Sequence, residues 1–241
     1  MHIRHAPECT IPATFARIGV SVASALVLAV AGCGSPSGNP STLLAQTKAK
    51  LDAAQSLHFL LTSADVRGNG PLVTGGSGDA HRPDGFSGRL SVKVSGFAVS
   101  IDVVSAGGAF YVKLPTDTEF ERTDASAYGF GDPAMLLDPR RGLSGLLLQC
   151  RSATLADDDR YSGEQLREVR CTLPGRSVAS LLTSADPGQD VAATFGISTA
   201  SGQLRRVVLT GPFFDKAKRS TFTLVLDKYG ENVSITPPAG P

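Results

Sequence analysis

Cysteine and histidine supply most of the reactive side chains in this 241-residue chain, and there are only four of each. His2, His5 and Cys9 sit near the start, and Cys33 ends the apolar run "LAVAGC". Downstream remain His58, His81, Cys150 and Cys171. A serine nucleophile needs a base beside it, and the elbow that presents one has the form G-x-S-x-G between a strand and a helix. "GFSGRL" and "GLSGLL" break that spacing. His58 lies in an alternating segment and reads as structural, whereas His81 sits in polar "DAHRPDG". Asp157-Asp158-Asp159 lacks the D-x-D-x-D-G spacing of a calcium loop and reads as a solvated turn. "GNGPLVTGGSG" has no P-loop lysine and reads as a flexible hairpin crossing. No catalytic residue, cofactor or metal site is expected.

The chemistry that Cys33 offers is attachment. Ahead of it, Arg4 and Arg17 make a basic leader, and Ile18 to Ala31 are apolar apart from Gly19 and two serines. As a helix these 14 residues would span about 21 Å, short of the ~30 Å hydrocarbon core. That favours a cleaved export signal over a spanning anchor. Val30-Ala31-Gly32-Cys33 resembles the bacterial lipobox, whose cysteine takes a thioether-linked diacylglyceryl group and becomes the new N-terminus. Small residues let the backbone enter a peptidase cleft, and the thiol carries the lipid. Two or three acyl chains of the palmitate kind, at ~0.8 kcal/mol per buried methylene, make a lasting attachment where one chain is marginal. Residues 1–32 are therefore expected to be a lipoprotein signal peptide. Residues 33–41 would form a lipidated start and flexible tether, and 42–241 a single domain.

Removing the leader leaves 209 residues, and the loss of Arg4, Arg17 and Glu8 leaves 21 charges of each sign. A balanced charge gives no case for nucleic acid. Some 200 residues suffice for one sizeable core. In an exported chain, Cys150 and Cys171 are expected to pair as a disulfide, closing a ~20-residue loop worth about 3 kcal/mol in the chain-entropy account. Two buried thiols are the alternative, since two cysteines alone make a poor zinc site.

Alternation organises the rest. "RLSVKVSGFAVSIDV" sets Leu90, Val92, Val94, Phe97, Val99, Ile101 and Val103 on one face, with Gly96 at the crossing. "SAGGAFYVKL" turns at Gly107-Gly108 and continues with Phe110, Val112 and Leu114 facing in. Further strands are read at His58–Val66, Val169–Leu173, Val191–Ser198, Leu204–Thr210, Phe222–Asp227 and Val233–Ile235. Helices are few: one capped by Ser41, short apolar ones in "DPAMLLD" and "GLSGLLLQC", and "GRSVASLLTSA" with Ser177 as its cap. The fold class is α+β, an antiparallel sheet with helices against a single face. Large apolar strands facing helices with small residues (Ala45, Ala49, Ala53, Gly142, Gly145) either pack closely or enclose a cavity, and close packing is the commoner outcome.

The lipobox, "AQSLHFLLT", "GGAFYVKL", "DPAMLLDPRRGLSGLL" and the closing "YGENVSITPP" together resemble the mycobacterial LppX/LprA/LprF/LprG lipoprotein family. The matches run in order from Ser56 to Pro238, and the block from Asp138 to Leu143 is the most specific. Tyr229 stands where tryptophan is usual, and the Cys150/Cys171 pair is not a general family trait. The resemblance implies a strongly curved antiparallel half-β-barrel with helices on its concave face and an apolar cavity between. It implies a non-enzymatic envelope lipoprotein that binds multi-acylated lipid, glycolipid or lipoglycan and carries it toward the outer envelope. The protein would sit lipid-anchored on the outer face of the cell membrane, or also in the cell wall or medium. From alternation and family position, the cavity would be lined by Leu90, Val92, Val94, Val99, Ile101, Val103, Phe110 and Val112. Leu136, Leu143, Leu146 and Leu147 would line it from the helices, with Arg140 and Arg141 as candidate contacts for an anionic headgroup. The alternative is an accessory lipoprotein that binds a membrane transporter and holds no lipid.

Overall fold

The computed structural model describes residues 38–239, apart from Phe130. The expected signal peptide, Cys33 and the tether as far as Ser37 lie outside the described residues. Helix α1 (Pro40–Ala53) comes first, then β1 (Ser56–Ala64), β2 (Leu72–His81), β3 (Gly85–Val94), β4 (Phe97–Ala106), β5 (Ala109–Lys113) and β6 (Glu121–Thr123). Two 3-10 helices, Ala125–Tyr128 and Pro133–Leu137, precede α2 (Leu143–Leu147). Then follow β7 (Arg151–Leu155), β8 (Asp159–Tyr161), β9 (Glu164–Leu173) and α3 (Gly175–Val178). The last strands are β10 (Val191–Ser198), β11 (Leu204–Gly211) and β12 (Ser220–Asp227).

All twelve strands form one antiparallel sheet in the order β6-β5-β4-β3-β2-β1-β12-β11-β10-β9-β7, with β8 added on β9. The first and last strands thus meet in the middle, and β6 and β7 are the two edges of an open sheet. Residues directly opposite in an antiparallel pair share a face. One rung runs Ile101, Leu90, Gly76, Leu61, Leu224, Val207, Phe195 and Val169 across eight strands. This face holds the core. The other face carries the charged groups, among them His58 Nδ1 beside Asp79 at 2.8 Å and Arg89 donating to Asp102 at 2.7 Å. Cys150 and Cys171 form a disulfide that ties the chain just ahead of β7 to β9.

Several local expectations are corrected. Asn39, not Ser41, caps α1: its side chain accepts from the backbone N–H of Ser41 and Thr42, and Pro40 fits the first turn because it has no N–H to satisfy. The helix therefore takes in Pro40 and Ser41, two residues of the expected tether. Ser177 caps nothing, since α3 starts from Pro174 without a side-chain cap. "PLVTGGSG" contributes to β2 rather than to a flexible crossing. Gly78 and Gly88 face each other there, so that β2 and β3 approach closely; a β-carbon on Gly78 would stand 2.6 Å from the Gly88 α-carbon. Asp159 lies in β8 and pairs with Arg206.

Val233–Ile235 form no strand. Both neighbours of β12 are already taken, and the chain turns away through Lys228 and Gly230, each with positive φ. Val94 and Phe97 are exposed (40% and 76%) although they keep the inward register, and Leu114, just past the end of β5, is 39% exposed. The β3–β4 ribbon outruns its neighbours: β2 begins opposite Lys93, and β5 ends opposite Asp102. Its last rung, Val94 with Phe97, has no strand on either flank.

Candidate functional site

A cavity of about 140 Å³ opens between the apolar sheet face and the segments laid over it. Five strands supply its sheet wall: Phe59 and Leu61 from β1, Val73 from β2, Phe86 and Leu90 from β3, Val207 and Leu209 from β11, Phe222 and Leu224 from β12. The opposite wall is Gly131 to Pro133 and Leu136 at the second 3-10 helix, Leu143 of α2, and Leu181 and Leu182 beyond α3. Asp132 is the one charged residue of this lining, and its Oδ1 takes two hydrogen bonds. It accepts from the Ser105 hydroxyl at 2.6 Å and from the Ala134 N–H at 2.9 Å, capping the 3-10 helix. The rest of the lining is a surface of hydrocarbon, suited to apolar groups. An engineered apolar cavity of ~150 Å³ stays dry and admits benzene, so the space described here has the scale of a short stretch of acyl chain.

The helical wall is built on the Asp138-to-Leu143 block. The Asp138 carboxylate accepts from the N–H of Arg140 at 2.9 Å and of Arg141 at 2.7 Å. Those bonds, the Arg141 one foremost, hold the carboxyl below its ordinary value of 3.8. Gly142 closes the turn by donating to Asp138 O. A β-carbon there would sit 2.5–2.6 Å from the carbonyl oxygens of Met135, Leu136 and Asp138, so only glycine lets the 3-10 helix and α2 come together. Lys48 of α1 donates to Pro139 O at 2.8 Å, which steadies the same turn. The second sequence block is also structural. Tyr229 donates its hydroxyl to Leu204 O, packs half-buried against the core, and is desolvated enough to raise its pKa far above the usual phenol value. Gly230 N–H reaches Ser56 O at 3.0 Å, pinning the C-terminal segment across β1.

Of the twelve residues expected to line a cavity, Leu90, Leu136 and Leu143 border this one. Val92, Ile101, Val103, Phe110, Val112, Leu146 and Leu147 are buried core residues that do not border it. Val99 is half-buried, and Val94 is exposed at the ribbon tip for the reason given above. Arg140 and Arg141 are exposed on the turn between the two helical pieces of the cavity wall, with Arg141 3.9 Å from Asp138. Missed in the sequence were the contributions of β1, β11 and β12, and the pair Leu181-Leu182. The strands were legible as alternating segments, but not which of their rungs lies beneath the helices. Among the described residues no cluster of His, Cys, Asp and Glu could hold a metal ion, and no helix is long and apolar enough to cross a membrane.

With this geometry in view, the likeness to known proteins is specific. Over 230 residues the chain is 28% identical to the lipoarabinomannan carrier protein LprG of Mycobacterium tuberculosis and of Mycobacterium bovis, covering 91% of this chain and 92% of theirs. The crystal structure of LprF from Mycobacterium bovis superposes with a TM-score of 0.69 at 20% identity, over 86% of this chain and all of that one. The crystal structure of the Mycobacterium tuberculosis lipoprotein LppX gives 0.60 at 16% identity, over 82% and 98%. These two share the fold. The profile described as LppX_LprAFG lipoprotein matches residues 39–235, nearly the whole span from the α1 cap to the C-terminal segment, and the chain belongs to that lipoprotein family.

Proposed function

We propose that the protein is a non-enzymatic lipid carrier of the cell envelope, anchored through acylated Cys33 after removal of residues 1–32. Its cargo is an acylated lipid, glycolipid or lipoglycan, carried from the cell membrane toward the outer envelope. The observation that carries this reading is the cavity wall: sixteen residues, fifteen of them without charge, with the single carboxylate already hydrogen-bonded. Membership of a family whose relatives include a lipoarabinomannan carrier supports the class of cargo. Each methylene taken out of water contributes ~0.8 kcal/mol, so a multi-acylated molecule needs a shield to cross an aqueous gap. Several chains exceed the volume found here, so loading widens the cavity by moving the helical wall off the sheet.

The test is native mass spectrometry of Cys33→Ala protein exported behind a cleavable signal in a mycobacterial host. A discrete added mass in the acyl-lipid range, lost on organic extraction, is expected. Leu90→Trp, and separately Leu136→Trp on the helical wall, fill the cavity and reduce that load at least tenfold. A bare polypeptide mass, with no uptake of added lipid by the folded protein, overturns the reading in favour of a lipoprotein that serves a membrane transporter without cargo.

A further inference from the structure

The apolar cavity is closed differently at its two ends. At one end Phe86 lies on a rung with Leu57 and Ala80, each 1% exposed, and Leu51 of α1 belongs to the same core at 1%. Solid packing stops the cavity there. At the other end the lining finishes at the Leu209–Phe222 rung, where β11 and β12 run into their connecting loop (residues 212–219). That loop and the β1–β2 loop (residues 65–71) continue the wall, and their Phe214 and Val66 are only half-buried against the core. The loop end is the thinner closure.

Phe214 spans this end. Its ring centroid lies 6.4 Å from that of Phe222 in the cavity wall. On the helical cover the ring rests over Gly129, where a β-carbon would run into its Cε1. Its own β-carbon stands 2.7 Å from where one on Gly68 of the β1–β2 loop would be. The Phe214 N–H donates to Ser184 O at 3.0 Å, Ser184 N–H to Gly129 O at 3.1 Å, and Gly131 N–H to Leu181 O at 3.0 Å. One hydrogen-bonded seam therefore joins Phe214 to two segments that line the cavity, at Gly131 and at Leu181. The backbone of Phe214 is the unusual part. Its φ is 64°, in the left-handed region that a bulky L residue rarely adopts. Phe86, Phe213 and Phe222 are more deeply buried and carry no such strain. Conformations of this kind persist where the surroundings impose them, and they gather at clamps and switches. A change of φ re-aims the β-carbon, so leaving this conformation carries the ring off Phe222 and Gly129.

We propose that Phe214 is the gate of the cavity: its ring closes the loop end, and release of the left-handed backbone moves the ring aside so that an acyl chain enters or leaves. The proposal deepens the carrier reading and rests on it. A gate sets rates rather than affinity, because the ring returns whether the cavity is filled or empty. A wall residue behaves otherwise: its loss removes contacts with the bound chain, and dissociation alone quickens. The fold lies within the compact unit Pro36–Pro241, so the Cys33→Ala chain freed of its leader contains all of it. That protein, delipidated, is to be mixed in a stopped-flow cell with dansyl-labelled undecanoic acid, whose fluorescence rises on leaving water, to give association and dissociation rates.

Two variants open the gate by different routes. Phe214→Gly removes the ring and suits the left-handed backbone, whereas Gly129→Ala keeps Phe214 and pushes its ring aside. Each is expected to raise both rates about tenfold, with Kd within twofold of the wild type. Phe97→Ser, which removes an exposed aromatic from the β3–β4 tip (76%), leaves both rates unchanged. Uptake by the two gate variants but not by the wild type also supports the proposal, since the closed ring then shuts the cavity fully. Unchanged rates in both gate variants, or a Kd weakened through dissociation alone, overturn the gate and leave the carrier reading standing. An equal acceleration by Phe97→Ser overturns it too, because the effect then belongs to the whole sheet end. Folded protein that takes up no probe, as wild type and as both gate variants, sinks the carrier reading, and the gate falls with it.

Discussion

The two ends of the β3–β4 ribbon carry one pattern into opposite surroundings. At the base, Phe86 is 2% exposed and stacks on Phe59 with ring centroids 5.2 Å apart; at the tip, Phe97 keeps the same face of the same ribbon and is 76% exposed. Alternation fixes which way a side chain points, but depth is set by what stands over it. The base has β2, β5 and the second 3-10 helix around it, whereas the last rung has none of them. An inward register is therefore a statement about direction, and burial has to be supplied by other elements.

The comparison breaks if the two phenylalanines respond alike. Phe86→Ala is expected to cost about 3–5 kcal/mol, through lost transfer energy and the void left beside Phe59. Phe97→Ala should stay within about 0.5 kcal/mol, as an exposed substitution does. Chemical denaturation of both variants checks this pair. The cover over the base is sharpened next by Gly142→Ala, whose β-carbon meets three carbonyl oxygens; about 2 kcal/mol should be lost, with greater protease sensitivity between Met135 and Leu147. The smallest effect concerns Asp138. Removing its cap in Asp138→Ala should cost about 1 kcal/mol at neutral pH. The carboxyl is held below its ordinary value in the folded chain, so its contribution is present above about pH 4 and lost as pH falls through the lowered value. The gap between wild type and Asp138→Ala should accordingly narrow in acid, and pH-dependent melting reads it directly.

Much of the architecture was legible because the physics is local. The Gly107-Gly108 turn, both residues with positive φ, was readable from the sequence, as were the strands around it. The Cys150/Cys171 bond was expected from the export reading of the leader, and the structure pairs the two cysteines. The strand within "PLVTGGSG" was not legible, because glycine reads as a breaker until the close approach of Gly78 and Gly88 explains it. Nor could the cavity wall be assigned in full. Leu90 and Val92 are equivalent in pattern, yet only Leu90 borders the space, since that depends on where the Pro133–Leu137 helix comes to rest. The Asp138–Leu143 block was visible as a motif, but its reason, a glycine wedged among carbonyls, is tertiary. Phe97 was misjudged for the complementary cause: nothing in its own stretch records that β2 and β5 stop short.

The open edges of the sheet have a mechanical consequence. In a closed barrel, strand number and stagger fix the radius, and enlarging the bore means breaking a ladder. Here β6 and β7 end the path without meeting, so each of the ten ladders between them can flex by a small change in twist while every hydrogen bond is kept. The bore is then an elastic quantity rather than a fixed dimension. Under the carrier reading, this flexing of the sheet adds to movement of the helical wall in making room for acyl chains.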